Sequence, residues 1–350
     1  MKKRVVGLDI LRIFSMIGVV TLHILGWGGV LKSPNSELGF YISNFIEIIF
    51  YCSVNVFALL TGYLSINKRN TFSRAVDLIV TVLFYSILIT AISILVGNRL
   101  DIKGLIKSLL PFFDDSLWYV NCVLPLIIIE PAINKMLNSL TRKNYRSLCL
   151  LIILIFSVIP SFVNRDFFGL NKGYSFSWLL SLYIIGAYIR KYDVRVVRKK
   201  IAVFLLVLFP TVLTVMNYVL DNIRGAHHTM YLAGYLSPVI LTEAILFLLV
   251  FKDIESDANN KFLQALSVLS FDVYVIHGHP YILRGLISGA FVWIANFSIW
   301  VQPIIVLVSA CLIYLSCILL GQIRLFAFKS LKISQMCSAI EDRVNLFDWD

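Results

Sequence analysis

The chain has 350 residues, of which 59% are hydrophobic and only 15% are charged, and its mean hydropathy is +0.85. Soluble globular domains contain about 45–50% apolar and about 25% charged residues, so this composition excludes an ordinary soluble domain. The formal net charge of +11 would suit a nucleic-acid-binding protein, but the basic residues are distributed in a way that indicates another class.

Apolar runs of the length that a helix needs to cross a bilayer, about 20 residues, recur along the whole chain. They predict an all-α polytopic membrane protein with a ten-helix membrane domain over residues 1–325 and a cytoplasmic, mildly amphipathic tail over 326–350, which suits the inner membrane surface. The predicted spans lie near 5–26, 41–66, 76–97, 117–134, 147–164, 176–190, 201–219, 230–251, 263–283 and 301–323.

Most of the 31 lysines and arginines fall in segments that alternating spans place on the same side as the N-terminus. Such a bias follows the positive-inside rule and predicts that both termini are cytoplasmic. The basicity therefore reflects topology, and no nucleic-acid partner is expected. The basic start resembles a signal peptide, but the apolar run after it is too long and contains Arg12, so a retained first span is predicted.

The first span, "LDILRIFSMIGVVTLHIL", carries Asp9, Arg12 and His23. Arg12 and His23 are eleven residues apart, which puts both on one helix face about 16 Å apart along the axis. Asp9 precedes Arg12 by three residues, a spacing that allows an ion pair. Ionisable residues in a span are candidates for function. The alternative is structural: an Asp9–Arg12 pair that ties helices together, with His23 at the interface.

Other spans carry further polar or aromatic residues. In chain order they are Asn55, Arg74, Trp118, Tyr119, Glu130, Tyr274 and His277. The predicted topology puts Arg12, Arg74 and Glu130 in the inner half and His23 and His277 in the outer half. Trp118 and Tyr119 near the outer surface also suit an aromatic belt.

This distribution has a chemical meaning. A histidine takes a proton from a hydroxyl and returns it to a leaving group, and an arginine offers a fixed fork of donors to phosphate or carboxylate. A cavity with arginine inside and histidine outside suits a cytoplasmic donor and an outer acceptor. The six cysteines show no metal-ligand spacing, and no P-loop is found, so neither a metal site nor an ATP-driven pump is expected.

Five segments resemble motifs of the bacterial membrane acyltransferase-3 family. "LDILRIFSMIGVVTLH", with Arg12 and His23, resembles its first-helix motif, and four others follow in order: "VNVFALLTGYL", "SLWYV", "LLSLYIIGAYIRK" and "LSFDVYVIHGHP". The resemblance covers about residues 5–320. Asp77 stands where some members have a second arginine after Arg74, and Gly278 follows His277 where proline is usual.

The resemblance implies transfer of an acyl group, usually acetyl from acetyl-CoA, to a hydroxyl of an extracytoplasmic glycan such as capsule or exopolysaccharide. It implies that His23 is catalytic, as a base or as a transient acyl carrier, and that Arg12 and Arg74 bind the coenzyme. Structural or cavity-lining roles are expected for the remaining candidates: Asp9, Asn55, Trp118, Tyr119, Glu130, Tyr274 and His277. The expected partners are the lipid bilayer of the bacterial plasma membrane and a surface glycan or lipid-linked oligosaccharide. No oligomeric state is predicted.

Two other functions stay open at this point. One is a transporter or flippase of a lipid-linked sugar, in which Arg12 binds pyrophosphate and His23 relays protons. Inverted repeats and paired broken helices, which often mark transporters, are not visible in the sequence. The other is a membrane scaffold or sensing domain, which would tolerate loss of His23.

Overall fold

A computed structural model describes residues 5–68, 72–97, 106–107, 109–113, 117–163, 166, 168–195, 198–225, 230–256, 260–333 and 335–336. The fold is all-α, as predicted, and most of the predicted tail, residues 337–350, lies outside the described residues. The main helices are α1 (Val6–Gly26), α2 (Glu37–Tyr51), α3 (Ser53–Ser65), α4 (Phe72–Leu95), α5 (Trp118–Ser139), α6 (Arg142–Phe162), α7 (Phe176–Lys191), α8 (Lys199–Arg224), α9 (Pro238–Phe251), α10 (Lys261–Val268), α11 (Ser270–Gly278) and α12 (Gln302–Ser330).

Seven helical segments of the described residues are long and apolar enough to cross a membrane, and α2 and α3 together form one of them over Glu37–Ser65. These seven correspond to seven of the ten predicted spans, and the chain is a multi-pass membrane protein. The other six segments are α1, α4, α5, α6, α8 and α12.

The remaining three predicted spans are shorter or interrupted. Helix α7 has 16 residues, α9 has 14, and the span predicted over 263–283 is broken at Leu269 between α10 and α11. Hydropathy measures the length of an apolar run, whereas packing decides how far a helix continues. Interrupted helices are tolerated at membrane depth where the backbone is enclosed by protein or lines a cavity.

Helix α12 continues beyond the predicted span end at 323 and reaches Ser330. It therefore contains Arg324, which lies just beyond the predicted end of the last span. Arg324 is only 6% exposed. Its Nε donates to Asp272 Oδ1 over 2.5 Å, and its guanidinium also contacts the second carboxylate oxygen. The Tyr85 hydroxyl donates to the same carboxylate. This ion pair ties α12 to α11 and explains how a charge is retained inside the bundle.

Helix α1 is the central helix, in contact with α2, α3, α9, α10, α11 and α12. It approaches the break between α2 and α3 closely at Gly18, where an added Cβ would lie 2.3 Å from Ser53 Oγ. A helix surrounded in this way presents its polar side chains to protein or to an internal cavity.

Helices α3 and α7 meet backbone to backbone. A Cβ added at Gly62 would lie 2.0 Å from the Tyr183 carbonyl oxygen, and one added at Gly186 would lie 2.0 Å from the Leu59 oxygen. Small residues permit such close helix packing in membrane proteins. The pair forms a tightly packed wall, and α3 supplies one side of the candidate site.

Candidate functional site

One cavity of about 840 Å³ contains both Arg12 and His23 in its lining, together with residues of α2, α3, α4, α5, α10 and α11. The polar stripe of α1 therefore faces an internal space along about 16 Å of helix axis. We call the part around Arg12, Thr61, Arg74 and Ser267 the Arg12 end, and the part around His23, Glu47, Tyr51, Trp118, Tyr174 and Tyr235 the His23 end.

The arginines of the Arg12 end are held by neighbouring side chains. Arg12 Nη1 donates to Ser267 Oγ over 3.1 Å. Arg74 Nη1 lies 3.1 and 3.2 Å from the two oxygens of Glu130 and 3.2 Å from Ser65 Oγ. Glu130 is fully buried, whereas 32% of the Arg74 side chain is exposed. Glu130 thus supports Arg74 from inside the bundle and leaves part of the guanidinium facing the cavity.

A third cation, Lys68, lies just beyond the end of α3. Burial lowers the pKa of Lys68, the charges of Arg74 and Arg12 lower it further, and the carboxylate of Glu130 raises it. With Asp9, one turn before Arg12 on α1, three basic and two acidic side chains share this neighbourhood. The Arg12 end therefore carries excess positive charge, which favours an anionic group.

At the other end, α1 and α11 bring two histidines together. The ring centroids of His23 and His277 are 4.9 Å apart, and the ring planes are tilted by 45°. His277 Nδ1 lies 2.5 Å from the Val273 carbonyl oxygen. Because a carbonyl oxygen only accepts, Nδ1 carries the hydrogen, and Nε2 of the neutral ring is an acceptor.

Two nitrogens of this pair, His23 Nδ1 and His277 Nε2, are buried and have no hydrogen-bond partner among the described residues. Leaving a buried polar atom unpaired costs about 1–3 kcal/mol. Because Nδ1 of His23 is buried and the side chain lines the cavity, Nε2 is the ring nitrogen that can contact a ligand there. Unsatisfied polar groups of this kind are expected at sites of chemistry more than in structural clusters.

A path of aromatic rings leads from the histidines along the cavity. The Tyr274 ring lies 6.4 Å from His277 and 5.7 Å from Tyr119, and the Tyr119 backbone N–H donates to the Tyr274 hydroxyl over 3.2 Å. Trp118, Tyr119 and Tyr274 all line the cavity. Trp118 and Tyr119 thus face an interior space, which is a different placement from the aromatic belt.

A protein-family model, described as an acyltransferase domain of the acyltransferase 3 type, matches residues 5–321 of the chain. The chain belongs to the acyltransferase 3 family. This confirms the resemblance of its motifs, and membership implies an acyl donor. The match covers every residue that lines the cavity. No curated protein and no solved structure matches the chain.

Some of the residues singled out in the sequence of this acyltransferase 3 protein do not line the cavity. Asn55 is fully buried, donates to the Tyr235 carbonyl oxygen over 2.8 Å and accepts from Trp178 Nε1 over 3.1 Å, so it joins α3 to α7 and to the segment before α9. Asp9 and Glu130 are buried beside the Arg12 end, and His277 lies behind His23.

Sequence reasoning missed several residues of the acyltransferase 3 cavity. Glu47 and Tyr51 were detectable, because an ionisable residue within a span and a tyrosine four residues later share one helix face. Tyr174 and Tyr235 lie in connections before α7 and α9, where no local pattern points to them. Ser267 is a common residue type that only its contact with Arg12 distinguishes.

Proposed function

We propose that this protein is an integral-membrane O-acetyltransferase of the bacterial plasma membrane. It moves an acetyl group from cytoplasmic acetyl-CoA to a hydroxyl of an extracytoplasmic or lipid-linked surface polysaccharide. The observation that carries the proposal is one continuous cavity with arginines at one end and an imidazole at the other. Membership of the acyltransferase 3 family supports acyl transfer over the transport of a lipid-linked sugar.

The donor's phosphates would bind at the Arg12 end. Arg12 and the exposed part of Arg74 present guanidinium donors that suit phosphate oxygens, and Lys68 adds a third positive charge. The positive-inside distribution predicts that this end lies near the cytoplasm. From there the pantetheine arm runs along the cavity, so that the thioester reaches His23.

At the His23 end the chemistry needs one base. His23 Nε2 takes the proton of the acceptor hydroxyl while the hydroxyl oxygen bonds to the thioester carbonyl carbon. The tetrahedral intermediate then breaks its carbon–sulfur bond, and the departing thiolate of coenzyme A takes the proton from the imidazolium. The products are an acetyl ester and free coenzyme A. In the covalent variant His23 Nε2 attacks the thioester carbonyl carbon and expels the coenzyme A thiolate. The acceptor oxygen then bonds to the acetyl carbon as the bond to Nε2 breaks, and the hydroxyl proton passes to the thiolate.

His277 is a positioning residue in this proposal. A hydrogen bond from His23 Nδ1 to His277 Nε2 would satisfy both buried nitrogens and fix the tautomer of His23 that has a lone pair on Nε2. The bond from His277 Nδ1 to Val273 supports this arrangement, because it commits Nε2 of His277 to accepting.

The test compares surface polysaccharide from cells that carry the wild-type protein, His23→Ala or no protein, by proton NMR of O-acetyl groups. We expect O-acetyl signals with the wild type only, at equal membrane levels of the two proteins. Equal O-acetylation in all three strains, with altered glycan amount or altered lipid-linked intermediates, would instead establish transport and reject the proposed acyl transfer.

A further inference from the structure

The His23 end has an aromatic wall that the acyl-transfer chemistry does not use. It consists of Tyr51, Trp118, Tyr174 and Tyr235, all of which line the cavity. The ring of Tyr235 lies 5.1 Å from Tyr51 and 5.1 Å from Tyr174, and the ring of Trp118 lies 4.7 Å from Tyr174. Four rings from α2, α5 and two connections thus form one contiguous aromatic cluster on the cavity lining.

Glu47 stands beside this wall and is the one acidic side chain among the described lining residues. It precedes Tyr51 by one helical turn, and its carboxylate acts electrostatically on the hydroxyls of Tyr51, Tyr174 and Tyr235. Its hydrogen bond in the described residues comes from Asn44 Nδ2 over 3.2 Å. An amide does not neutralise the carboxylate, so Glu47 keeps capacity to accept hydrogen bonds from a ligand.

Aromatic faces next to a carboxylate suit a pyranose ring. The faces carry partial negative charge and attract the C–H groups on one side of a sugar. The carboxylate accepts strong charge-assisted hydrogen bonds from hydroxyls at the edge of the ring. Where Glu47 is ionised, it repels a ligand carboxylate in the same place.

We propose that the aromatic wall and Glu47 form the acceptor subsite, and that this subsite selects a pyranose without a carboxyl group and rejects uronic acids. The inference rests on the proposed function only in identifying the bound sugar as the acyl acceptor. His23 lines the same cavity, so we expect a sugar stacked on the wall to present an edge hydroxyl towards the imidazole.

Binding is measured on the full-length protein in detergent at about pH 8.5, where Glu47 and the uronides both carry their charge, by saturation-transfer difference NMR. The ligands are methyl glycosides of glucose, galactose and mannose and the corresponding methyl uronides, which differ only in the oxidation of C6. We expect at least one neutral glycoside to bind about tenfold more tightly than its uronide, a difference that corresponds to about 1.4 kcal/mol. No binding by any neutral glycoside, or equal binding of every pair, overturns the proposal.

Two variants assign the selectivity to residues. Glu47→Gln keeps the shape but removes the charge, so the preference over the uronide should fall to less than about threefold. Glu37→Gln makes the same change on the same helix away from the cavity and should leave the preference intact. Tyr174→Ala should weaken binding of the neutral glycoside about tenfold, while Tyr174→Phe retains it. A preference that survives Glu47→Gln overturns the assignment.

This measurement needs no acyl transfer, so the two proposals fail separately. Selective sugar binding together with O-acetylation that is independent of His23 rejects the proposed function and leaves the subsite. O-acetylation that requires His23, with no sugar selectivity at Glu47, rejects the subsite and leaves the proposed function.

Discussion

The two ends of the cavity treat their polar groups in opposite ways. At the Arg12 end, Arg74 is paired with Glu130 and Arg12 is hydrogen-bonded to Ser267. At the His23 end, one nitrogen of each histidine is buried without a partner in the described residues. A permanent charge inside a membrane protein must be compensated. A neutral imidazole nitrogen without a hydrogen-bond partner costs only a moderate amount of free energy. Under the proposed function, this difference separates an end that holds charge from an end that supplies the reactive imidazole.

The sharpest way to break this comparison is to remove the reactive group. His23→Ala should lower the acetylation rate by about 10²–10⁴-fold, the range for loss of a general base. The rate is followed as thiol release from acetyl-CoA in the presence of acceptor. Ser15→Ala is the matched control on α1, because the Ser15 hydroxyl is buried, has no hydrogen-bond partner among the described residues and does not line the cavity. A His23→Ala protein as active as this control would remove His23 from the chemistry.

The next change acts on the charged end. Arg12→Lys keeps the charge but loses the planar fork, so we expect kcat/KM for acetyl-CoA to fall by about 10- to 100-fold. The KM for the acceptor should stay within twofold of the wild-type value, which corresponds to a change in binding free energy of at most about 0.4 kcal/mol. Equal losses for donor and acceptor would show that Arg12 maintains the whole fold and would contradict a role at the donor end.

A smaller effect is expected from the histidine behind the base. His277→Asn keeps an amide that can reach Val273 but has no atom in the place of Nε2, so kcat should fall about tenfold, as for loss of one hydrogen bond of about 1.4 kcal/mol. His277→Gln puts a polar atom back near that position and should recover part of the activity. If both variants lose activity equally and their thermal midpoints fall together, His277 supports packing and does not position His23.

The smallest effect concerns the loop that carries Tyr174. Asp166 accepts backbone hydrogen bonds from Leu170 and Asn171, both over 2.7 Å, and these bonds hold the pKa of Asp166 below its ordinary value of 3.8. Because the pKa is lowered in the folded state, the loop interaction is complete above pH 3.8 and is lost as the pH falls through the lowered pKa.

Asp166→Asn should therefore raise the acceptor KM about twofold at neutral pH and leave the donor KM unchanged. An effect of this size is usual for a surface substitution. The measurement compares the KM of each substrate between the wild type and Asp166→Asn at pH 7. A change confined to the donor KM would separate this loop from the acceptor subsite.

How much was predictable differs between the fold and the site. The all-α membrane class follows from apolar runs, and seven runs correspond to long helices. The end of α12 was misplaced, because Arg324 is charged and hydropathy does not register its ion pair with Asp272. The span over 263–283 was predicted as one helix, because its break at Leu269 has no proline or glycine beside it.

By itself, the sequence determined the membrane class, the polar face shared by Arg12 and His23, and the family motifs, since hydropathy, helical periodicity and motif order are local properties of the chain. Only the tertiary structure decided that His277 backs His23 and that Tyr51, Trp118, Tyr174 and Tyr235 form one wall beside Glu47. These residues are far apart in the chain, and their meeting depends on how helices and connections pack. No short-range pattern records that packing.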